Sequence, residues 1–332
     1  MPAEDQSTVE FTVETNDFGK RLDAFLAENI DGWSRSRLQR VIDGGDVLVN
    51  RKAAKASYKL RENDEIEVEL TEVPAARFEP ENIPLDIVFE DEFLAVINKP
   101  AGMVVHPGAG VQSGTLANAL AHHFKFEISD LKLDPADDEQ SQIQNLKSKV
   151  GIVHRLDKDT SGLIVVAKNE AIHDALAIQF RNREVFKSYV ALVHGSPREN
   201  SGKIDRPIAR DRWHRTKMTV AANGRNALSL WKVRRRFEKF SLLDVEIKTG
   251  RTHQIRVHLA SINHPVVGDE TYNEGRDNTT SDTNIRIAIE RLGRQFLHAE
   301  RLSFTHPKTR ERLAFTAELP AELSDFLSLL RS

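Results

Sequence analysis

The 332-residue chain reads as an α+β protein in two parts: a small α/β unit, then a larger sheet unit with flanking helices. Three observations predict this. Short β-branched runs recur along the chain, with Gly or polar turns between them. Segments of helical period fall among them, with capping residues at their starts. A stretch rich in Pro and Glu, from Pro74 to Pro84, breaks the pattern and reads as a linker.

The elements follow in order. Residues 1–17 are polar and predict a flexible tail. Arg21 to Ala27 has apolar positions at helical spacing. Arg35 to Ile42 predicts a second helix, with Ser34 as its N-cap and Gly44-Gly45 as its end. Val47 to Asn50 reads as a strand. In the next strand Ile66, Val68 and Leu70 alternate with Glu65, Glu67 and Glu69, which gives one wet face. The small unit is therefore set at 18–74, the linker at 75–84 and the large unit at 85–332.

The large unit opens with strands at Ile87-Val88-Phe89 and Phe93 to Ile97. Thr115 to Phe124 predicts a helix, and Glu127 to Lys149 a polar, exposed insertion. Gly151-Ile152-Val153 and Leu163 to Ala167 read as buried strands. Asn169 caps a helix from Glu170 to Arg181, with Ile172, Leu176 and Phe180 on one face. Lys187 to Val193 and the run through Leu243, Val245 and Ile247 are strands, the latter ending at Gly250.

Composition narrows the function. No cysteine is present, which removes disulfides, thiolate metal sites and thiol nucleophiles. The acidic start lacks the apolar core of a signal peptide, and no run approaches a bilayer span, so the expected location is the cytoplasm, without membrane contact. Net charge is -3, but the charge is segregated. Lys20 to Glu62 holds ten Lys/Arg against six Asp/Glu, and Lys203 to Lys217 six against two. Acid gathers in the tail and in Asp134 to Glu139.

The densest polar feature is His154-Arg155-Leu156-Asp157-Lys158-Asp159-Thr160-Ser161-Gly162, held between apolar runs. A second cluster, Thr249 to Leu259, follows a strand and opens a helix, where Arg251 suits an anion or a carboxylate. His253, His258 and His264 lack metal-ligand spacing, and the glycines around Gly108 match no phosphate-binding loop. No metal and no cofactor is expected. Ser161 and Ser188 lack a nucleophile-elbow context.

The Asp157 run resembles the catalytic motif of the RluA-type family of RNA pseudouridine synthases. The Lys99 to Pro107 loop, the Lys187-Ser188-Tyr189 strand, the Gly250 to His258 turn, and His264 to Asp269 with Gln295 to Ala299 resemble the same family in the same order. Residues 18–74 resemble the alpha-L RNA-binding motif of a small-subunit ribosomal protein, and the pairing is most similar to the RluD branch. The resemblance implies a pseudouridine synthase fold: a large mixed, mainly antiparallel sheet with flanking helices and a central cleft. It implies an isomerase that flips a uridine out of RNA, acting on a hairpin loop of large-subunit ribosomal RNA or a pre-ribosomal particle, as a monomer.

By the same resemblance Asp157 is the essential carboxylate, Arg155 takes the place of the flipped base, Tyr189 stacks on that base and is a candidate to take, or help take, the C5 proton, and Ile255 walls the pocket. Arg251 is the expected counter-charge of Asp157. Lys99, His106, Arg215 and Lys217 are expected to hold substrate. Arg35, Arg37, Arg40, Arg51 and Lys52 are expected to hold RNA through the small unit. Two other readings fit the residues: a non-catalytic RNA-binding assembly factor on the same fold, and a hydrolase using Asp157 with Asp159. The polar segments 127–149 and 273–291 are expected to border the RNA channel.

Overall fold

The computed structural model describes residues 6–30, 33, 35–71, 79–107, 111–125, 151–214 and 216–331. The chain divides near residue 78 into two compact units. In the first, β1 (Gln6–Thr12), β2 (Val47–Val49), β3 (Lys52–Ala53) and β4 (Glu65–Thr71) form a sheet in the order β1-β4-β2-β3, beside α1 (Leu22–Asn29) and α2 (Arg35–Gly44). The expected tail is thus corrected. Residues 6–12 pair antiparallel with β4, Val9 opposite Val68 and Phe11 opposite Ile66. The apolar positions Val9, Phe11 and Val13 give this strand a core face that its polar residues obscure. Ile66 and Val68 are buried, as the alternation requires, and join Leu22, Phe25, Leu26 and Leu38 in the unit's own core. Each such side chain contributes about 1.5–3 kcal/mol by burial. The proposed Ser34 cap lies outside the described residues.

The second unit is built on a nine-stranded sheet. Its strands are β5 (Ile87–Glu90), β6 (Leu94–Lys99), β7 (Ser161–Ala167), β8 (Phe186–His194), β9 (Ser201–Asp205), β12 (Leu228–Arg236), β13 (Phe240–Ile247), β14 (Leu297–Thr305) and β15 (Arg312–Thr316). The order is β5-β6-β7-β14-β8-β13-β12-β9, with β15 on β14. Among these pairs only β7 with β14 is parallel. A separate hairpin joins β10 (Ile208–Arg210) to β11 (Met218–Val220).

Helices α3 (Leu116–His123), α4 (Glu170–Arg181), α5 (Gln254–Ser261), α6 (Thr283–Leu292) and α7 (Ala321–Ser328) complete the unit. Thr115 caps α3 in a reciprocal box with Asn118, and the Asn169 side chain accepts the Ile172 N–H at the start of α4. Ile255 and Leu259 of α5, Ile289 of α6 and Leu323 and Phe326 of α7 pack with Val190, Leu192, Leu243 and Val245 of the central strands. No helix among the described residues is long and apolar enough to cross a membrane.

Three further boundaries differ from expectation. The linker ends sooner. Glu79 and Glu81 are already bonded to α3, since the Asn118 side chain donates to the Glu79 carbonyl and Glu81 N–H to the Asn118 carbonyl. Gly151 to Val153 is a turn with a single bridge from Ile152 to Val166, not a strand. A β-carbon on Gly151 would lie 1.8 Å from the Ala167 carbonyl oxygen, so the close approach requires Gly there. Segment 273–291 is structural. It begins with buried Asn273, closes a turn at Arg276–Thr279 and carries most of α6, which Ile289 seals to the core. The insertion 127–149 lies outside the described residues.

Candidate active site

The Asp157 run leads from the Gly151 turn through a second turn at Lys158-Asp159 into β7, and the chain before that turn sorts its side chains. Leu156 is buried in the core beneath the cleft that Arg155 and Asp157 also line. His154 is structural. Its Nε2 accepts the Val165 N–H at 3.0 Å and its ring stacks on Phe180. That acceptor role requires a neutral ring. Burial, then the Lys187 charge, pushes its pKa down to about 3.

Two buried cations pin the loop behind Asp157. Lys99 Nζ donates to the carbonyls of Pro100, Met103 and Lys158 at 2.7, 2.9 and 3.0 Å. Its side chain is fully buried and its donors are taken by these carbonyls, whereas the expected binding role needs an open ammonium. Arg294 donates to the Asp159 carbonyl and the Ser161 hydroxyl. Ser161 in turn bonds His298 Nδ1 at 2.9 Å, so it is a buried structural hydroxyl.

The counter-charge of Asp157 is Arg256, not Arg251. Arg256 Nη1 lies 3.2 Å from Asp157 Oδ2, while its Nε and Nη2 fork onto buried Asp269 at 2.7 and 2.8 Å. Asp269 also accepts the N–H groups of Thr271 and Tyr272. Burial opposes the Arg256 charge, and the two carboxylates more than offset it, so its pKa is raised. The reason for the exchange is local. The turn after Gly250 delays the helix until Gln254, with His253 left-handed at φ 53 as its cap. Arg256 therefore occupies the first turn, where the sequence reading had placed Arg251. Arg251 Nε instead donates to the Asn226 carbonyl at 3.1 Å. Sequence carries a weak signal for this: Asp269 lies in one of the segments that bear the resemblance.

Tyr189, 6% exposed, and Ile255 wall the cleft beside Asp157, with Ile247 and Leu297. Burial, then the Asp157 charge, raises the Tyr189 pKa, which keeps its phenol protonated. The cleft is open to solvent and holds a cavity of about 60 Å³. Tyr272 lies under Arg256, its ring centre 5.1 Å from the guanidinium carbon, and its hydroxyl shares a 2.8 Å hydrogen bond with His253 Nδ1.

Arginines gather at this end of the cleft. Arg155 and Arg251 line it, and burial, then the charges of Arg225 and Arg183, lowers the Arg251 pKa. Among the described residues none of these four has a carboxylate within 4.0 Å. Arg183 follows the end of α4 in the left-handed region, at φ 63.

The other expected contacts divide. His106 is half-buried in the loop after β6, Lys217 sits at the base of the β10–β11 turn, and Arg215 lies outside the described residues. In the small unit, Arg35 gives one contact, at 3.1 Å, to buried Asp23, whose other partners are Arg21 and Gln39. Part of its expected RNA role is thus spent on the fold. The side chains of Arg37 and Arg40 lie outside the described residues. Arg51 and Lys52 are exposed on a tight hairpin whose turn puts Asn50 and Arg51 at φ 51 and 61.

Fold and site together define an enzyme of the RNA pseudouridylate synthase class, and the family model of that description matches residues 93–261. The chain belongs to this family; it is an isomerase, and it carries an S4 domain at residues 20–66. It is 40% identical over 323 residues to an uncharacterized RNA pseudouridine synthase of Bacillus subtilis, covering 97% of this chain and 98% of that one. It is 42% identical over 330 residues to ribosomal large subunit pseudouridine synthase D of Nitrosomonas europaea, covering 99% and 90%. Among solved structures, human RNA pseudouridylate synthase domain containing 1 shares 25% identity at a TM-score of 0.51, covering 75% of this chain and 87% of that one.

Proposed function

We propose that this chain isomerises uridines in large-subunit ribosomal RNA, within a hairpin loop, with Asp157 as the reacting carboxylate. The observation that carries the reading is the pairing of Asp157 with Arg256 at a cleft walled by Tyr189 and Ile255. In the reaction the C1′–N1 bond breaks, the uracil turns, C1′ bonds to C5, and the C5 proton is lost as N1 gains one. Asp157 acts on the sugar or base while the base is detached. Arg256, locked by Asp269, holds that carboxylate in place. Tyr189 stacks on the flipped base. Its raised pKa argues against its taking the C5 proton. Arg155, exposed and lining the same cleft as Asp157, fills the space the base vacates.

Arg251, Arg225 and Arg183 bind phosphates that flank the target, and Arg51 and Lys52 bind others through the S4 domain. The ribosomal target is supported by the names of relatives such as the Nitrosomonas protein. The test is Asp157→Asn. The variant should bind RNA and form no pseudouridine; formation at the normal rate sinks the assignment.

A further inference from the structure

Trp213 is the most exposed large apolar side chain among the described residues, at 87%. It sits on the turn between β10 and β11, with Arg210, Arg212, His214 and Lys217 around it. The turn is built to present it. Asp211 Oδ1 accepts the N–H groups of both Trp213 and His214 at 2.8 Å, and Lys217 N–H returns to the His214 carbonyl at the same distance. The acidic group of the tip is thereby engaged by that backbone, with His214 Nδ1 3.4 Å away. Among the described residues Arg212 and Lys217 have no carboxylate within 4.0 Å.

The hairpin is also fixed to the catalytic helix. Ile208 packs with Val257 of α5, next to Arg256. Met218 N–H donates to the Tyr272 hydroxyl at 2.8 Å, and that hydroxyl bonds His253 of the cleft. Trp213 lies five positions before Met218, so its Cα stays within about 18 Å of that anchor.

An exposed aromatic beside Arg212 and Lys217, neither with a carboxylate among the described residues, is costly in water and suits a ligand with an apolar face on a charged backbone. We propose that Trp213 is a stacking platform for an unpaired nucleobase of the RNA substrate, outside the nucleotide being isomerised, with Arg212 and Lys217 holding the adjoining phosphates. The inference rests on the reading of the chain as acting on RNA. It adds a contact that selects substrates with an unstacked base beside the target.

The test compares Trp213→Ala and Trp213→Phe with the wild type on a ribosomal hairpin transcript, following affinity against salt and pseudouridine formation. Wild-type turnover checks the underlying reading by itself. The alanine variant should bind about tenfold more weakly, the order expected for one stacked base. Its kcat and its slope of log affinity against log salt should be unchanged, because stacking carries no charge. Phenylalanine should restore most of the affinity. Wild-type binding by the alanine variant overturns the proposal, as does a lowered kcat or a shallower salt slope. So does a changed oligomeric state without a change in RNA affinity, which would mark Trp213 as a protein contact.

Discussion

At the scale of single residues, Arg256 and Arg251 separate two tasks that one arginine was expected to perform. Arg256 is locked between two carboxylates. Arg256→Lys keeps a charge but loses the fork onto Asp269, so kcat should fall at least tenfold with RNA affinity nearly constant. Arg251→Ala should do the reverse, raising KM severalfold with kcat largely retained; steady-state kinetics on one transcript distinguishes them. Arg183 makes the same point through strain. A non-glycine residue at φ 63 costs about 1 kcal/mol or more, and Arg183 has no carboxylate to reward it within the described residues. Arg183→Gly should raise thermal stability while weakening RNA binding and reducing the salt slope by about 1. Thermal melts and titrations read the two effects separately.

At the scale of elements, the site depends on how a loop with little secondary structure is held. Behind Asp157 the chain is fixed by Lys99 from the end of β6 and Arg294 from before β14. At the next step β7 and β14 meet in parallel, Gly162 opposite Ala299. A β-carbon on Gly162 would lie 2.3 Å from the Ala299 carbonyl oxygen, so Gly162→Ala should disturb the loop and not only the strand. Lys99→Met leaves three carbonyls without their donor and should cost roughly 1–3 kcal/mol. Its pH dependence has a definite sign. Burial pushes the Lys99 pKa from 10.5 down to about 7. Between these values the unfolded chain binds a proton that the folded chain does not, so this group's contribution to stability rises with pH. The gap between wild type and Lys99→Met should therefore be wider at pH 9 than at pH 6, measured by denaturant midpoints.

At the scale of the whole molecule, a chain of net charge -3 binds a polyanion because its charges are sorted. Several acidic groups are committed to partners inside the fold: Asp23 to Arg21, Arg35 and Gln39, Asp244 and Glu300 to Arg234, Asp269 to Arg256. The arginines near the cleft and the Arg51–Lys52 hairpin remain open. RNA affinity should therefore fall steeply with salt, and replacing both Arg51 and Lys52 by Ser should reduce the slope by about 2 without lowering kcat. Filter binding at several salt concentrations checks the first, and turnover at saturating RNA the second.

Sequence by itself determined most of the elements and the polar runs that meet at the cleft. Period and caps set α4 at Glu170 to Arg181, because Asn169 and the spacing of Ile172 and Leu176 are local facts. The strand at 6–12 escaped because its polar composition hides Val9 and Phe11, whose partners on β4 lie far along the chain. Only the tertiary structure decided which arginine meets Asp157. The turn at His253 shifts the helix start, and Asp269, far along the chain, pulls Arg256 inward. It also decided that Lys99 serves the loop and not the substrate, since its three acceptors come from two segments that meet only in the fold. A charged side chain is allotted by its nearest counter-charge in space, and that neighbour is set by packing, not by spacing along the chain.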